Sequence, residues 1–132
     1  MTTVSQILNG KGHDVVTVAP NSTVYDAIKK MADHNIGSVA VVDNGKLVGI
    51  FTERHYARKV FLKGKSSPKT IVGEVMALNP VCVIPQQTAE ECMSIMTAKR
   101  FRHLPVIENN KMVGIISVGD ILKNLISDAL LP

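Results

Sequence analysis

The stretch VGIISVGD, residues 113–120, has a near copy in VGIFTERH, residues 48–55. Both stretches begin Val-Gly-Ile, and both place a hydroxyl-bearing residue two positions after the isoleucine. They differ at the last position, where one copy carries Asp120 and the other carries His55. A segment repeated this closely indicates that the surrounding structure is repeated as well, so the extent of the repeat decides the fold.

The repeat extends over most of the chain. A shift of 65 positions superimposes the two copies without a gap from Val18 to His55. Upstream, TVSQIL at residues 3–8 and TIVGEVM at residues 70–76 correspond at a shift of 68, so the first copy carries about three extra residues near residues 10–13. Matching residues include Pro20 and Pro85, Thr23 and Thr88, Met31 and Met96, Val41 and Val106, Lys46 and Lys111, and Gly49 and Gly114.

Each copy predicts the same order of elements: strand, helix, strand, strand, helix. The short apolar runs VVTVAP and VCVIP predict the first strand, and apolar residues at helical spacing predict the helix that follows. The pairs Asn44-Gly45 and Asn109-Asn110 predict two-residue turns between the other two strands. The closing helix is expected to begin just after Thr52 in the first copy and after Ser117 in the second.

These elements predict an α+β fold. One copy of about 60 residues would bury too little surface to be comfortably stable alone. We therefore expect residues 1–132 to form a single module of two β-α-β-β-α repeats, about 1–62 and about 68–132, related by a pseudo-twofold axis. The sheets would pack together with the helices outside, and a cleft between the copies would suit a ligand.

Composition narrows the class of protein. The chain has 132 residues, of which 45% are hydrophobic and 20% charged, which argues against a disordered tail. No apolar run approaches the roughly 18 residues of a membrane span, and the N-terminal sequence lacks an apolar signal core, so we expect a cytoplasmic protein. The net charge of +4 favours anionic partners, but scattered basic residues and an aromatic content of 4% argue against nucleic acid. The four histidines show no metal-ligand spacing, so no metal site is expected.

The paired motifs resemble a known family. Tandem Gly-Ile-Phe-Thr and Gly-Ile-Ile-Ser segments ending in His or Asp, each with an upstream Pro-x-x-Thr helix start, resemble a pair of CBS domains, called a Bateman module. The resemblance covers nearly the whole chain. It implies a stand-alone regulatory module, without a catalytic cofactor or activity, that binds AMP, ADP, ATP, NAD or S-adenosylmethionine.

The resemblance assigns Asp120 and Ser117 to a ligand site. In the family, the carboxylate at the position of Asp120 accepts hydrogen bonds from ribose hydroxyls, and such charge-assisted bonds are strong. Ser117 matches the hydroxyl residue that reaches ribose or phosphate, beside helix N–H groups that favour anions. The segment Ser117-Val118-Gly119-Asp120 also has the spacing of a capping box, so a purely structural role remains open.

The resemblance also implies a ligand-binding role for residues at the start of the central strand. The resemblance places basic residues at the positions of Arg102 and His103 near the ligand's phosphates, and a guanidinium suits phosphate oxygens. An ordinary surface arginine and a histidine at a strand end are the alternatives. The matching residues of the first copy, Gly37 and Ser38, are small and would leave space for a nucleotide.

The first copy departs from the family pattern at His55. Imidazole cannot accept two hydroxyl bonds as a carboxylate can. Three interpretations of this site stay open: it is empty, it holds a ribose through one bond from His55, or it takes a phosphate-rich ligand beside Arg54, Arg58 and Lys59. A helix-start histidine with solvated basic neighbours is a fourth. Thr52 is expected to cap the helix or contact phosphate.

The expected partners follow from the resemblance. They are an adenine nucleotide, an unidentified regulated protein and a second copy of the chain. The apolar run ILKNLISDALL, residues 121–131, suits a homodimer contact, and it suits packing within the chain equally well. The alternative function is a protein–protein adaptor that needs no nucleotide. An enzyme acting on a nucleotide is the third hypothesis.

Overall fold

Two structural units carry the repeat in the computed structural model, which describes residues 1–130. Unit 1 combines Met1–Asp14 with the chain from Val81 onward, and unit 2 is Val15–Pro80. The units do not coincide with the sequence repeats. Each of them contains the opening helical segment of the other copy.

The elements follow the predicted order, with irregular helical segments at two places. A π-helix over Tyr56–Phe61 continues α3, and a 3-10 helix over Val72–Glu74 precedes β4. The helices and strands are α1 (Val4–Lys11), β1 (Thr17–Val18), α2 (Val24–His34), β2 (Ser38–Asp43), β3 (Lys46–Thr52), α3 (Glu53–His55), β4 (Ala77–Leu78), α4 (Ala89–Lys99), β5 (His103–Glu108), β6 (Lys111–Ser117) and α5 (Val118–Leu130).

Unit 2 is a four-stranded sheet in the order β1-β2-β3-β4. β1 pairs with β2 in parallel, and the other neighbours are antiparallel. α2 begins after Thr23, whose hydroxyl accepts the N–H of Asp26, and it ends at Asn35 in the left-handed conformation. The unit has its own apolar core, formed by Val18, Val24, Ala27, Met31, Val39, Val41, Phe51, Val60, Val72 and Val75.

Unit 1 is built on the antiparallel pair β5-β6. α1 enters this unit from the N-terminus, and the N–H of its first residue, Val4, donates to the carbonyl of Gln87 at 2.8 Å. Leu8 packs so closely on β6 that a Cβ at Gly114 would lie 2.6 Å from its Cδ2. The core residues are Val4, Ile7, Leu8, Val83, Ala89, Cys92, Met96, Leu104, Val106, Ile116 and Ile121.

The strand predicted over residues 81–85 is reduced to a single bridge between Val83 and Val106. In unit 2 the N–H of Ala40 donates to the carbonyl of the residue before β1 at 3.2 Å. The matching residue of unit 1 is Pro105, which has no N–H to donate. The prediction of a full strand here is therefore wrong, and the lost donor explains why.

The hairpin turns are confirmed. Asn44 and Gly45 have φ values of 51° and 80°, and Asn109 and Asn110 have φ values of 53° and 62°. Two successive left-handed residues give the turn that matches the twist of antiparallel strands. Asparagine and glycine tolerate this conformation better than other residues do.

The α+β class and the closing helices after Thr52 and Ser117 are confirmed. Within residues 1–130, no helix combines the length and apolarity required to cross a membrane. Of the run predicted as a dimer contact, residues 121–130 lie in α5, and Leu131 lies outside the described residues.

Candidate functional site

Asp120 lies in the first turn of α5 and caps that helix together with Ser117. The Oδ2 atom of Asp120 accepts the backbone N–H of Ser117 at 2.8 Å, and the Ser117 hydroxyl accepts the N–H of Asp120 at 3.2 Å. These reciprocal bonds make a capping box. The structural role considered from the sequence is thus present, and it uses one of the two carboxylate oxygens.

The N-terminal helix adds a further contact to this carboxylate. The Nζ of Lys11, the last residue of α1, lies 2.7 Å from Asp120 Oδ2 and 2.9 Å from the carbonyl oxygen of Ile115. Near the other end of α1, the Thr2 hydroxyl lies 2.8 and 2.7 Å from the carboxylate oxygens of Asp128. α1 is therefore hydrogen-bonded to α5 near both of its ends.

The surroundings of Asp120 favour its charged form. Burial raises the pKa of this carboxyl, but hydrogen bonds from Lys11 and Ser117 and the charge of Lys11 outweigh burial and bring the pKa below its ordinary value. The side chain remains 24% exposed. Both bonds that it accepts end on Oδ2, and Oδ1 accepts none from residues 1–130. One oxygen of the charged carboxylate is thus without a hydrogen-bond donor among these residues.

His103 joins the same cluster because it pairs with Ser117 across the β5-β6 hairpin. Burial lowers the pKa of His103, the charges of Lys11 and Arg102 lower it further, and Asp120 opposes them. The imidazole is therefore neutral near pH 7. Arg102 is exposed, and its carbonyl accepts the N–H of the first residue of α5 at 2.9 Å.

The corresponding turn of unit 2 uses His55 in place of a carboxylate. The Nδ1 of His55 accepts the N–H of Thr52 at 3.1 Å, and the Thr52 hydroxyl accepts the N–H of His55 at 3.1 Å. A ring nitrogen that accepts a hydrogen bond carries no proton, so this imidazole is neutral. Burial lowers the pKa of His55, and the charges of Lys59, Arg54 and Arg58 lower it further. The histidine thus provides the cap without a negative charge.

The other predicted residues of the first copy lie around the starts of β2 and α3. Ser38 is buried and pairs with Thr52 across the β2-β3 hairpin. The carbonyl of Gly37 accepts the N–H of Glu53 at 3.1 Å, and Arg54 is exposed. Gly37 and Glu53 also line a pocket of about 250 Å³ with residues of α2. Of the two small residues, Gly37 is thus the one beside open space.

The structure brings Asp120, Ser117 and His103 together and adds Lys11, which the sequence analysis did not select. A signal for Lys11 exists, because the extra residues near residues 10–13 lengthen the first opening helix. α1 has 8 residues, whereas the 3-10 helix that takes its place in unit 2 has 3. The last turn of the longer helix carries the ammonium group to the carboxylate.

Comparison with known proteins identifies the repeat. The CBS domain family matches the chain twice, over residues 4–61 and 72–127. The CBS domain-containing protein CBSX3, mitochondrial, of Arabidopsis thaliana is 37% identical over 136 residues, which cover 96% of this chain and 66% of that protein. The chain thus spans just under two thirds of this relative's length.

Solved structures agree with this assignment. A candidate signal-transduction protein with CBS domains from Burkholderia ambifaria MC40-6 has a TM-score of 0.93 and 47% identity, and the match covers 99% of this chain and 98% of that one. The CBS domain pair of protein MJ0100, in complex with 5′-methylthioadenosine and S-adenosyl-L-methionine, has a TM-score of 0.86 and 26% identity, and covers 97% and 98% of the two chains. The chain therefore belongs to the CBS domain family and carries two copies of the domain in tandem.

Proposed function

We propose that this CBS pair is a regulatory module that binds an adenosine-containing ligand (AMP, ADP, ATP, NAD or S-adenosylmethionine) at the Asp120 cluster. The observation that carries the proposal is the charged, partly buried carboxylate of Asp120, whose Oδ1 accepts no bond from residues 1–130. Such an oxygen is suited to accept hydrogen bonds from ribose hydroxyls. The adenosine derivatives bound to the related MJ0100 pair support this class of ligand.

The charges near Asp120 suit a ligand that also carries an anionic group. Lys11 contacts the carboxylate, and the positive charges of Lys11 and Arg102 both lower the pKa of His103. The exposed guanidinium of Arg102 has the planar geometry that fits phosphate oxygens. We place the phosphates of a nucleotide near Arg102 and the start of α5, with neutral His103 contributing a hydrogen bond rather than a charge.

At the His55 turn of unit 2 we propose a helix cap and no ribose site. The Nδ1 of His55 already accepts the N–H of Thr52, so the remaining ring nitrogen carries the proton and donates. One donor cannot replace a carboxylate that accepts from two hydroxyls. The neutral ring adds no charge to that of Arg54, Arg58 and Lys59, and we interpret these three exposed residues as solvated side chains.

A second candidate function, a protein–protein adaptor, is favoured by one face of α5. Leu122, Ile126 and Leu130 are 46%, 59% and 79% exposed, and they follow each other at the four-residue spacing of one helix face. This face also suits the homodimer predicted from the sequence. A ligand at Asp120 would signal by favouring one arrangement of the module or its partner over another. The regulated protein and the cytoplasmic location stay predictions.

Isothermal titration calorimetry tests the proposal. The full chain is titrated with AMP, ATP, NAD and S-adenosylmethionine, and so are the variants Asp120→Asn and Asp128→Asn. The second variant is the matched control, because it removes an equal charge from the same helix. We expect binding of at least one ligand, weakened by about 10- to 100-fold in Asp120→Asn, since one or two charge-assisted bonds are lost. Asp128→Asn should bind as the parent does.

Two results would reject the proposal. If no ligand in the panel binds, the adaptor function is favoured instead. If a ligand binds but Asp120→Asn binds it as tightly as the parent chain, ribose recognition by this carboxylate is excluded.

A further inference from the structure

Lys11 is a charged group that neither the repeat nor the family motif selects. It belongs to the last turn of α1, and its Nζ bonds both Asp120 Oδ2 and the carbonyl of Ile115. The lysine is therefore held at two points. It contacts the carboxylate through the oxygen that already accepts the N–H of Ser117.

We propose that Lys11 is a positioning residue for the ligand site, which fixes Oδ2 of Asp120 so that Oδ1 is left to accept the sugar hydroxyls. This inference rests on the proposed function and names a residue that the site needs. Without the lysine, the carboxylate would keep only Ser117 as a partner and could turn more freely about its terminal bond, which is a soft torsion. A partial turn of that kind would tilt the plane of the carboxylate and spoil the orientation offered to a ligand.

Comparison of the two copies supports the pairing of these charges. In unit 2 the 3-10 helix ends at Glu74 and the chain continues as β4, which pairs with β3. The last turn of α1 therefore has no counterpart there. His55, at the position of Asp120, is neutral and needs no counter-charge. Both members of the ion pair thus have no counterpart in unit 2, as expected if they act together.

The charged and titratable groups near the carboxylate and its neighbour His103 come from α1, from β5 and from the residue before β5. Lys11 approaches from α1, His103 belongs to β5, and Arg102 precedes that strand. His103 is neutral near pH 7, so Lys11 is the charged side chain that contacts Asp120 directly. Its removal should make the carboxyl easier to protonate, and a protonated carboxyl has lost much of its capacity as an acceptor.

The test uses the full chain and the variants Lys11→Met, Lys11→Arg and Lys29→Met. Lys29 forms an ion pair with Asp33 at 3.0 Å on α2, so Lys29→Met is a matched loss of one charge and one ion pair. Titration of the Asp120 carboxyl is followed by NMR without ligand. The affinity for adenosine, a probe that carries the ribose but no phosphate, is measured by calorimetry from about pH 3 to pH 7.5, because the pKa of the Asp120 carboxyl lies below its ordinary value.

For Lys11→Met we expect the Asp120 titration to move to higher pH. We expect adenosine binding about fivefold weaker at pH 7, a modest loss because the ion pair is partly exposed. The pH below which adenosine affinity is lost should rise together with the titration midpoint of the Asp120 carboxyl. Lys11→Arg should restore both properties, and Lys29→Met should change neither. A purely structural lysine would not move the pH profile.

Unchanged titration and unchanged adenosine affinity in Lys11→Met would overturn the inference. If Lys11→Met binds adenosine as tightly as the parent chain while Asp120→Asn does not bind it, the role of Lys11 is overturned and the proposed function stands. If the parent chain binds neither adenosine nor any ligand of the panel, the proposed function fails first, and the positioning role fails with it. The ligand-free NMR titration distinguishes loss of the ion pair from loss of folding, because the chemical shifts of an unfolded variant are poorly dispersed.

Discussion

The packing of α1 into unit 1 makes a quantitative prediction for Leu8→Ala. Leu8 is 1% exposed, and its two methyl carbons lie 2.6 and 2.9 Å from where a Cβ of Gly114 would be. Glycine offers no side chain to fill the space that the leucine would leave. We therefore expect the free energy of unfolding to fall by about 3–4 kcal/mol, in the middle of the range for buried leucines. Urea denaturation followed by circular dichroism measures it.

A double-mutant cycle isolates the contact. Gly114→Ala alone should destabilise by about 1–3 kcal/mol, because the new methyl meets the Leu8 side chain. In the Leu8→Ala background the same methyl enters the space that the leucine has vacated. The double variant should therefore lose about 2 kcal/mol less unfolding free energy than the sum of the two single variants. Gly10→Ala is the control, since a Cβ there meets nothing within 4 Å, and it should stabilise the helix by about 0.4–1 kcal/mol.

Two outcomes would contradict the predicted contact between Leu8 and Gly114. A loss below about 1 kcal/mol for Leu8→Ala would mean that α1 is not packed into the core of unit 1. Strict additivity of Leu8→Ala and Gly114→Ala would mean that these residues are not in contact.

Three further predictions concern other parts of the chain. Gly49→Ala should destabilise by at least about 2 kcal/mol, because its Cβ would lie 2.8 Å from the backbone carbonyl oxygen of Ala77, which cannot turn aside as a side chain can. Stability should fall as the pH drops below about 6.5, because the folded-state pKa of His55 is lowered and the unfolded chain binds the proton more readily. His55→Gln, which keeps an acceptor for the cap, should reduce this dependence. The Cys92 thiol, whose pKa burial and the charge of Glu91 raise to about 11, should react with iodoacetamide at pH 8 far more slowly in the folded chain than in urea.

Each of these has a result that contradicts it. A Gly49→Ala variant as stable as the parent would mean that β3 and β4 are further apart than described. An unchanged pH dependence in His55→Gln would show that the imidazole is not held neutral by its cap. Equal labelling rates of Cys92 in the folded and unfolded chain would place this thiol at the surface.

Local features of the fold were predictable because they depend on local chemistry. The turn at Asn44-Gly45 follows from residues that tolerate positive φ, and the caps at Thr23 and Thr88 follow from hydroxyl side chains before apolar helices. The period of the repeat predicted the element order for the same reason. The reduced strand near Val83 was missed, because the responsible proline lies on the partner strand rather than in the strand itself.

The exchange of opening helices was not predictable from the repeat alone. A repeated sequence shows which segments are equivalent but not which copy each segment packs against, since that choice depends on contacts between residues far apart in the chain. Lys11 and Asp120 are 109 positions apart. The carboxylate was found through the family motif, whereas the lysine lies in the unrepeated insertion and became apparent from its 2.7 Å contact.

Recognition of a ribose diol by Asp120 is tested most directly by NMR with two closely matched probes. Labelled protein is titrated with adenosine and, separately, with 2′,3′-dideoxyadenosine, which lacks both hydroxyls. If Asp120 binds the ribose diol, we expect adenosine to shift the NMR signals of the Asp120 carboxyl and of the Ser117 and His103 amides in a saturable way. The dideoxy compound should leave these signals unshifted. Equal responses to the two compounds, or an Asp120 signal that adenosine does not move, would contradict the account.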